Sequence, residues 1–247
     1  MLEKMWYWVG RRLVDIYAGT MFKMDVVRYG SLPEGPKIIA PNHPSTTDPA
    51  LVLTLADEKA SILISETLFK VPVLGRYLRA AGHIPVVHTS GRAAFEEAKA
   101  LLEAGRTIVI FPEGAISPLD GGFHKAHTGV ARLALSTGAP VIPVGIGLDR
   151  ERIRLTETLV DGKTEVGTWY IQGPYAVTVG EPMWFTGDVE DREHVHSVAE
   201  RIMGRIIQLA GRSARRVAAA PAGASEAITR PVTVVNAGQP QSVTSSR

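Results

Sequence analysis

Through residues 2–22 apolar side chains recur at three- and four-residue steps: Leu2, Met5, Trp6, Val9, Leu13, Ile16 and Tyr17. That spacing predicts an amphipathic helix. Lys4, Arg11 and Arg12 lie mostly off the stripe, and Trp6, Tyr7 and Trp8 are aromatics of the kind that settle at headgroup depth in a bilayer. A first helix packed on the core is the plainer reading of such a pattern. Three neighbouring bulky aromatics beside arginines favour the membrane interface.

Further along, the pattern alternates. Short apolar runs at 38–40, 61–65, 84–87, 107–111 and 141–147 read as strands, and 170–172 and 176–179 add two more on either side of Gly173-Pro174. Helical patterns lie between them. The clearest covers 92–104, with Ser90 as N-cap, Phe95, Ala98, Leu101 and Leu102 on one face, and Gly105 as its stop. Another covers 126–136 and ends at Gly138, and a last amphipathic helix over 190–210 carries Val195, Val198, Ile202, Ile206 and Leu209. Strand and helix in alternation predict an α/β fold, a mostly parallel central sheet flanked by helices. Beyond Gly211 small and polar residues dominate and periodicity vanishes, so 212–247 reads as a disordered tail. The chain thus divides into an interfacial helix (1–24), a folded domain (25–211) and the tail (212–247).

A chain of 247 residues, 45% of them hydrophobic, suffices for a sizeable core. It has no cysteine, which excludes a disulfide framework, a thiolate metal site and a cysteine nucleophile together. Any thioester must therefore arrive on a carrier. The formal net charge of +2 is unevenly placed: residues 211–247 hold five arginines against one glutamate. Basic ends on an acidic body suit an anionic membrane surface, and the uniform basic face of a nucleic-acid binder is missing. No apolar run reaches the roughly 18–20 residues of a membrane span, and the features of a signal peptide are lacking. The expectation is a peripheral protein on the cytoplasmic side of the cell membrane.

The candidate chemistry begins where Lys37-Ile38-Ile39-Ala40 runs into Pro41-Asn42-His43-Pro44-Ser45-Thr46-Thr47-Asp48-Pro49. A residue at the mouth of a strand, before a turn into a helix, occupies the place where open α/β sheets carry their chemistry. An imidazole steered there by a carboxylate is a general base at neutral pH, because the carboxylate fixes the tautomer and stabilises the imidazolium that forms. The same residues also suit a turn, with Asp48 capping a helix ahead of Pro49. A second segment, Phe111-Pro112-Glu113-Gly114-Ala115-Ile116-Ser117, adds a glycine whose backbone N–H can meet an oxyanion. Glu113, an acceptor when ionised, suits substrate hydroxyls or the fixing of its loop. His83, His124, His127, His194 and His196 show no metal-ligand spacing with carboxylate support.

Together these segments resemble the glycerolipid acyltransferase family, the lysophosphatidic acid acyltransferases and their relatives. The family's first motif, Asn-His-x-x-x-x-Asp, is matched by Asn42, His43 and Asp48. Its third, Phe-Pro-Glu-Gly-x-x-Ser, is matched by Phe111, Pro112, Glu113, Gly114 and Ser117, and Val141-Ile142-Pro143-Val144-Gly145 is similar to the fourth. The likeness covers roughly residues 1–210. It implies His43 and Asp48 as a catalytic dyad, with Asn42, Glu113, Gly114 and Ser117 around the substrate. It further implies transfer of an acyl group from acyl-CoA or acyl carrier protein to a lysolipid, 1-acyl-glycerol-3-phosphate first among the acceptors, with no metal or organic cofactor. Two positions depart from the pattern. Where the second and third motifs usually carry arginine, this chain has His88 and Ile116. Arg92 and Lys125 are the nearby cations that can replace them. Another lysolipid or a polyol or sugar-lipid acceptor, and a hydrolase using the same dyad on water, remain as alternatives.

Overall fold

Eight consecutive buried residues, Val141–Leu148, form the central axis of the protein. A strand buried along its whole length must be covered on both faces, as happens inside a parallel sheet. The computed structural model describes residues 2–87, 90–160, 163–220 and 233–234. In chain order the helices are α1 (Leu2–Met21), α2 (Asp48–Val52), α3 (Glu66–Lys70), α4 (Leu74–Ala81), α5 (Arg92–Glu103), α6 (Gly129–Thr137) and α7 (Arg192–Ala218). The strands are β1 (Phe22–Arg28), β2 (Lys37–Pro41), β3 (Ala60–Ser65), β4 (Ile84–Val86), β5 (Thr107–Val109), β6 (Val141–Leu148), β7 (Arg154–Val160), β8 (Lys163–Trp169), β9 (Gly173–Val179) and β10 (Thr233–Val234). The sheet order is β10-β1-β9-β6-β2-β5-β3-β4. Every neighbouring pair is parallel except β6–β9. The predicted α/β architecture with a mostly parallel sheet is the one observed.

Alternation along the strands feeds two cores. Ile39 of β2 joins Ile142, Val144 and Ile146 of β6 beneath α1 and α2. Ile38 and Ala40 point the other way, into a layer built from Ala98 and Leu102 of α5, Leu133 of α6 and Ile202 and Ile206 of α7. The connection leaving β2 thus crosses one face while the one leaving its neighbour β5 crosses the other. At such a reversal the C-terminal ends of the strands open a crevice, the usual ligand position in this architecture.

Several elements differ from the pattern read in the sequence, and β1, which begins inside the expected 1–24 segment, has no counterpart in it. α7 continues to Ala218, beyond the expected limit at 210. It does so because Ser213 is buried, donating to the Gly145 carbonyl and bonding Thr178, while Arg216 pairs with Asp25 and reaches the Val177 carbonyl. Gly145 and Gly147 allow this approach, since a Cβ on either would lie 2.0–2.5 Å from the α7 backbone. The tail reading for 221–247 falls outside the described residues, save for Thr233–Val234 paired with β1. Residues 170–172 are not a strand; the preceding stretch folds instead into the β7–β8 hairpin, a separate two-stranded sheet. Finally, α5 has Gly91 at its cap position with no side-chain bond, not Ser90.

The N-terminal helix has two apolar faces. Tyr7, Val14 and Ala18 sit in the core, and Gly10 meets the ring of Tyr77 on α4. Arg11 caps the end of the α2 region by donating to the carbonyls of Leu53, Thr54 and Ala56. The opposite side exposes Met5, Trp6, Val9, Leu13 and Ile16, Leu13 at 63%. No helix of the described residues is long and apolar enough to cross a membrane.

Candidate active site

β2 and β5 lie side by side in parallel, so the loops after them leave the sheet at the same edge. The first loop carries His43. Its Nδ1 is 3.2 Å from Asp48 Oδ2, and its ring stacks on Phe111 with centroids 4.1 Å apart. With Asp48 accepting, Nδ1 carries the ring proton and Nε2 keeps its lone pair. Nε2 has no partner among the described residues, and the side chain retains 15% exposure.

Asp48 is fully buried. A carboxylate in that position needs donors, and it has them. The Ser45 backbone N–H and hydroxyl lie 2.6 and 2.7 Å away, and the Tyr175 hydroxyl, 127 residues on, lies 2.8 Å from Oδ1. Burial raises the Tyr175 pKa well above the usual phenol value, and the adjacent Asp48 charge adds to that. The phenol is therefore a permanent donor. The loop between His43 and Asp48 is also stitched to the root of the hairpin: Thr46 exchanges bonds with the Thr168 backbone, and Thr47 with that of Tyr170.

The second loop is tied to the first through Glu113, which is 2% exposed. Its Oε1 accepts from the His43 backbone N–H at 3.0 Å and from the Ser117 hydroxyl at 2.7 Å, and Oε2 accepts from the His124 N–H. The Ser117 N–H closes the link on the His43 carbonyl. Of the two uses read for Glu113, this geometry is that of a loop fastener. Asn42 is likewise engaged, exchanging two hydrogen bonds with the Ile146 backbone across β2 and β6. Gly114 takes φ +67°, and a Cβ there would press within 2.7 Å of the His127 ring. Its N–H donates to the Phe111 carbonyl rather than standing free.

The expected cations are not gathered here. Arg92 and Lys125 are exposed, with no bond to these groups among the described residues, and His88 lies outside the described residues. No group of three His, Cys, Asp or Glu among the described residues is placed to hold a metal ion. Ser45 and Tyr175 were not singled out in the sequence. Ser45, three residues before Asp48, has the spacing of a local turn bond. Tyr175 has no local signal, because only the sheet brings β9 beneath the loop.

The acyltransferase family model matches residues 23–147, just over half of the chain. The crystal structure of the 1-acyl-sn-glycerophosphate (LPA) acyltransferase PlsC from Thermotoga maritima superposes with a TM-score of 0.56 at 25% identity, covering 83% of this chain and 78% of that one. An uncharacterized protein of Mycobacterium leprae, ML2427, is 28% identical over 152 residues, 55% of this chain. The chain spans 39% of the length of that relative.

Proposed function

The chain belongs to the acyltransferase family, and from that premise we propose that it transfers a fatty acyl group from a thioester, acyl-CoA or acyl carrier protein, to the hydroxyl of a lysolipid. 1-Acyl-glycerol-3-phosphate is the leading acceptor, by likeness to the substrate named for the Thermotoga protein. The observation that carries the reading is the His43–Asp48 contact at the end of β2, with Asp48 buried and held by Ser45 and Tyr175.

In this mechanism His43 Nε2 takes the proton of the acceptor hydroxyl as its oxygen attacks the thioester carbonyl carbon. Asp48 stabilises the imidazolium and keeps the ring oriented. The tetrahedral intermediate collapses with cleavage of the C–S bond, and the imidazolium returns its proton to the departing thiolate. Ester and free thiol carrier are the products, and the enzyme forms no covalent bond. Glu113 and Ser117 serve by fixing the His43 loop, and Asn42 by fixing β2 to β6.

The exposed apolar side of α1 supports a peripheral membrane location. A helix apolar on both sides has one face for the core and a second to cover, and a bilayer surface holds both the acceptor and the product. One experiment tests the reaction class. A labelled acyl-CoA offered with a panel of lysolipids and polyols, read by mass spectrometry, should give esterified product. Free fatty acid alone would make the enzyme a hydrolase.

A further inference from the structure

We infer that Thr46 and Thr47 are positioning residues for the dyad, and that the β7–β8 hairpin sets the catalytic geometry through them; the inference rests on the dyad of the acyltransferase reading above. His43 and Asp48 are five residues apart, and the 3.2 Å contact between their side chains depends on the path of the backbone between them. Both ends of that path are fastened. The His43 N–H and carbonyl are bonded to Glu113 and to the Ser117 N–H, and the Asp48 carboxylate is bonded to Ser45 and Tyr175. The middle is held from a third direction. The Thr46 N–H donates to the Thr168 carbonyl at 2.7 Å, and the Thr46 hydroxyl accepts from the Thr168 N–H at 2.9 Å. The Thr47 hydroxyl donates to the Tyr170 carbonyl at 2.9 Å and accepts from the Tyr170 N–H at 3.3 Å.

Thr47 stands at the N-cap of α2, where a threonine ordinarily turns its hydroxyl to the N–H groups of its own helix, and its side chain makes no such bond. The hydroxyl goes instead to a backbone 123 residues further on. A local cap is given up for a long-range one, and the exchange fixes the residue next to Asp48. The anchor on the other side is rigid. Tyr170 is fully buried, stacks on Phe22, and donates its phenol to the Pro174 carbonyl. Thr168 belongs to β8, and the hairpin forms a sheet of its own with Leu155 and Val166 both 56% exposed, so it adds little to the core and acts on the site through its root. Movement of Asp48 by about 1 Å would take its contact with Nδ1 beyond hydrogen-bond range, and the ring would lose the tautomer that keeps Nε2 free. Thr168 and Tyr170 lie beyond the last motif segment, 141–145, so a dyad recognised from its motifs is held by residues that no motif contains.

The test follows ester and free fatty acid formed from acyl-CoA and lysophosphatidate by the wild-type enzyme and by Thr47→Val, Thr47→Ser, Thr46→Val and Thr156→Val, each well below its melting temperature. Valine keeps the shape of threonine and removes the hydroxyl. Thr47→Val should lower kcat about ten- to a hundredfold, the upper end matching an active-site displacement of about 1 Å, with KM for donor and acceptor little changed. Thr47→Ser, which keeps the hydroxyl, should restore most of the lost rate. Thr46→Val loses one of its two bonds and should fall between. Thr156→Val breaks a hydroxyl bond of similar length inside the hairpin, to Trp169 Nε1 at 2.9 Å, and should leave kcat at the wild-type value. A lowered melt of Thr47→Val with wild-type kcat overturns the inference, as does no recovery in Thr47→Ser or an equal loss in Thr156→Val. Should Thr47→Val fail to fold, Thr46→Val beside Thr156→Val decides: a lower kcat in the first alone supports the inference, and equal rates overturn it. Wild-type enzyme releasing only free fatty acid removes the transferase reading, and the same comparison of kcat for hydrolysis still decides the role of the threonines. Wild-type enzyme that cleaves no thioester removes both.

Discussion

Tyr175 shows how much of a histidine–carboxylate pair depends on its surroundings. Asp48 has no access to water, so each of its lone pairs must be met by protein, and the phenol supplies one of the donors from a strand far along the chain. Tyr175→Phe removes that donor with little change of shape. Stability should fall by about 1–3 kcal/mol, the usual consequence of leaving a buried acceptor short. A carboxylate with one donor fewer is also less firmly placed against the imidazole, so kcat should fall with KM little changed. A packing defect alone would lower the melting temperature with kcat intact, and an unchanged kcat would remove Tyr175 from the positioning of the dyad.

Among the elements, α1 makes the sharpest separation. Five residues of the stripe read from the sequence, Met5, Trp6, Val9, Leu13 and Ile16, face outward, whereas Tyr17 of the same stripe packs against the core with Tyr7, Val14 and Ala18. The core-packing reading thus holds for one side of the helix, and the exposed side is the one an interfacial role would use. Leu13→Glu combined with Ile16→Glu should weaken sedimentation with phosphatidylglycerol vesicles by more than about tenfold, from the loss of two apolar side chains to the interface, and should leave the melt unchanged. Equal sedimentation of variant and wild type would refute the anchor. α7 and the hairpin mark where the pattern was read short. Of residues 212–218 only Ser213 is fully buried, against Gly145, with Arg216 reaching Asp25 and Val177, and a face without large apolar groups looks like a tail. The hairpin announced itself through Asp161-Gly162, a dipeptide typical of two-residue hairpin loops, between Thr- and Val-bearing segments.

At the scale of the whole molecule, the strands that carry the site were legible because buried parallel strands are short and almost wholly apolar. What joins them was not. Glu113 to His43 and Asn42 to Ile146 both depend on the order β6-β2-β5, which no local pattern encodes. The sheet also buries one titrating group remote from the chemistry. His83 packs between Tyr7 and Tyr77 and accepts the Ile62 N–H on Nδ1; burial chiefly, with Lys59 and Arg106 nearby, pushes its pKa down from 6.5 to about 4. The unfolded chain thus binds the extra proton between those values, and stability should be full above pH 6.5 and decline as pH falls toward 4. Denaturant melts at about pH 7.5 and about pH 5 should differ by roughly 2 kcal/mol from this group, and His83→Gln should remove that share of the difference; an identical pH dependence in the variant would contradict it. The central claim, that His43 is the base that activates the acceptor hydroxyl, is tested most directly by the rate of ester formation in His43→Ala beside its thermal melt. Turnover should drop by about a thousandfold or more, within the range for general-base catalysis, while the melt stays near that of the wild type. A folded variant that esterifies lysolipid at the wild-type rate would contradict the account.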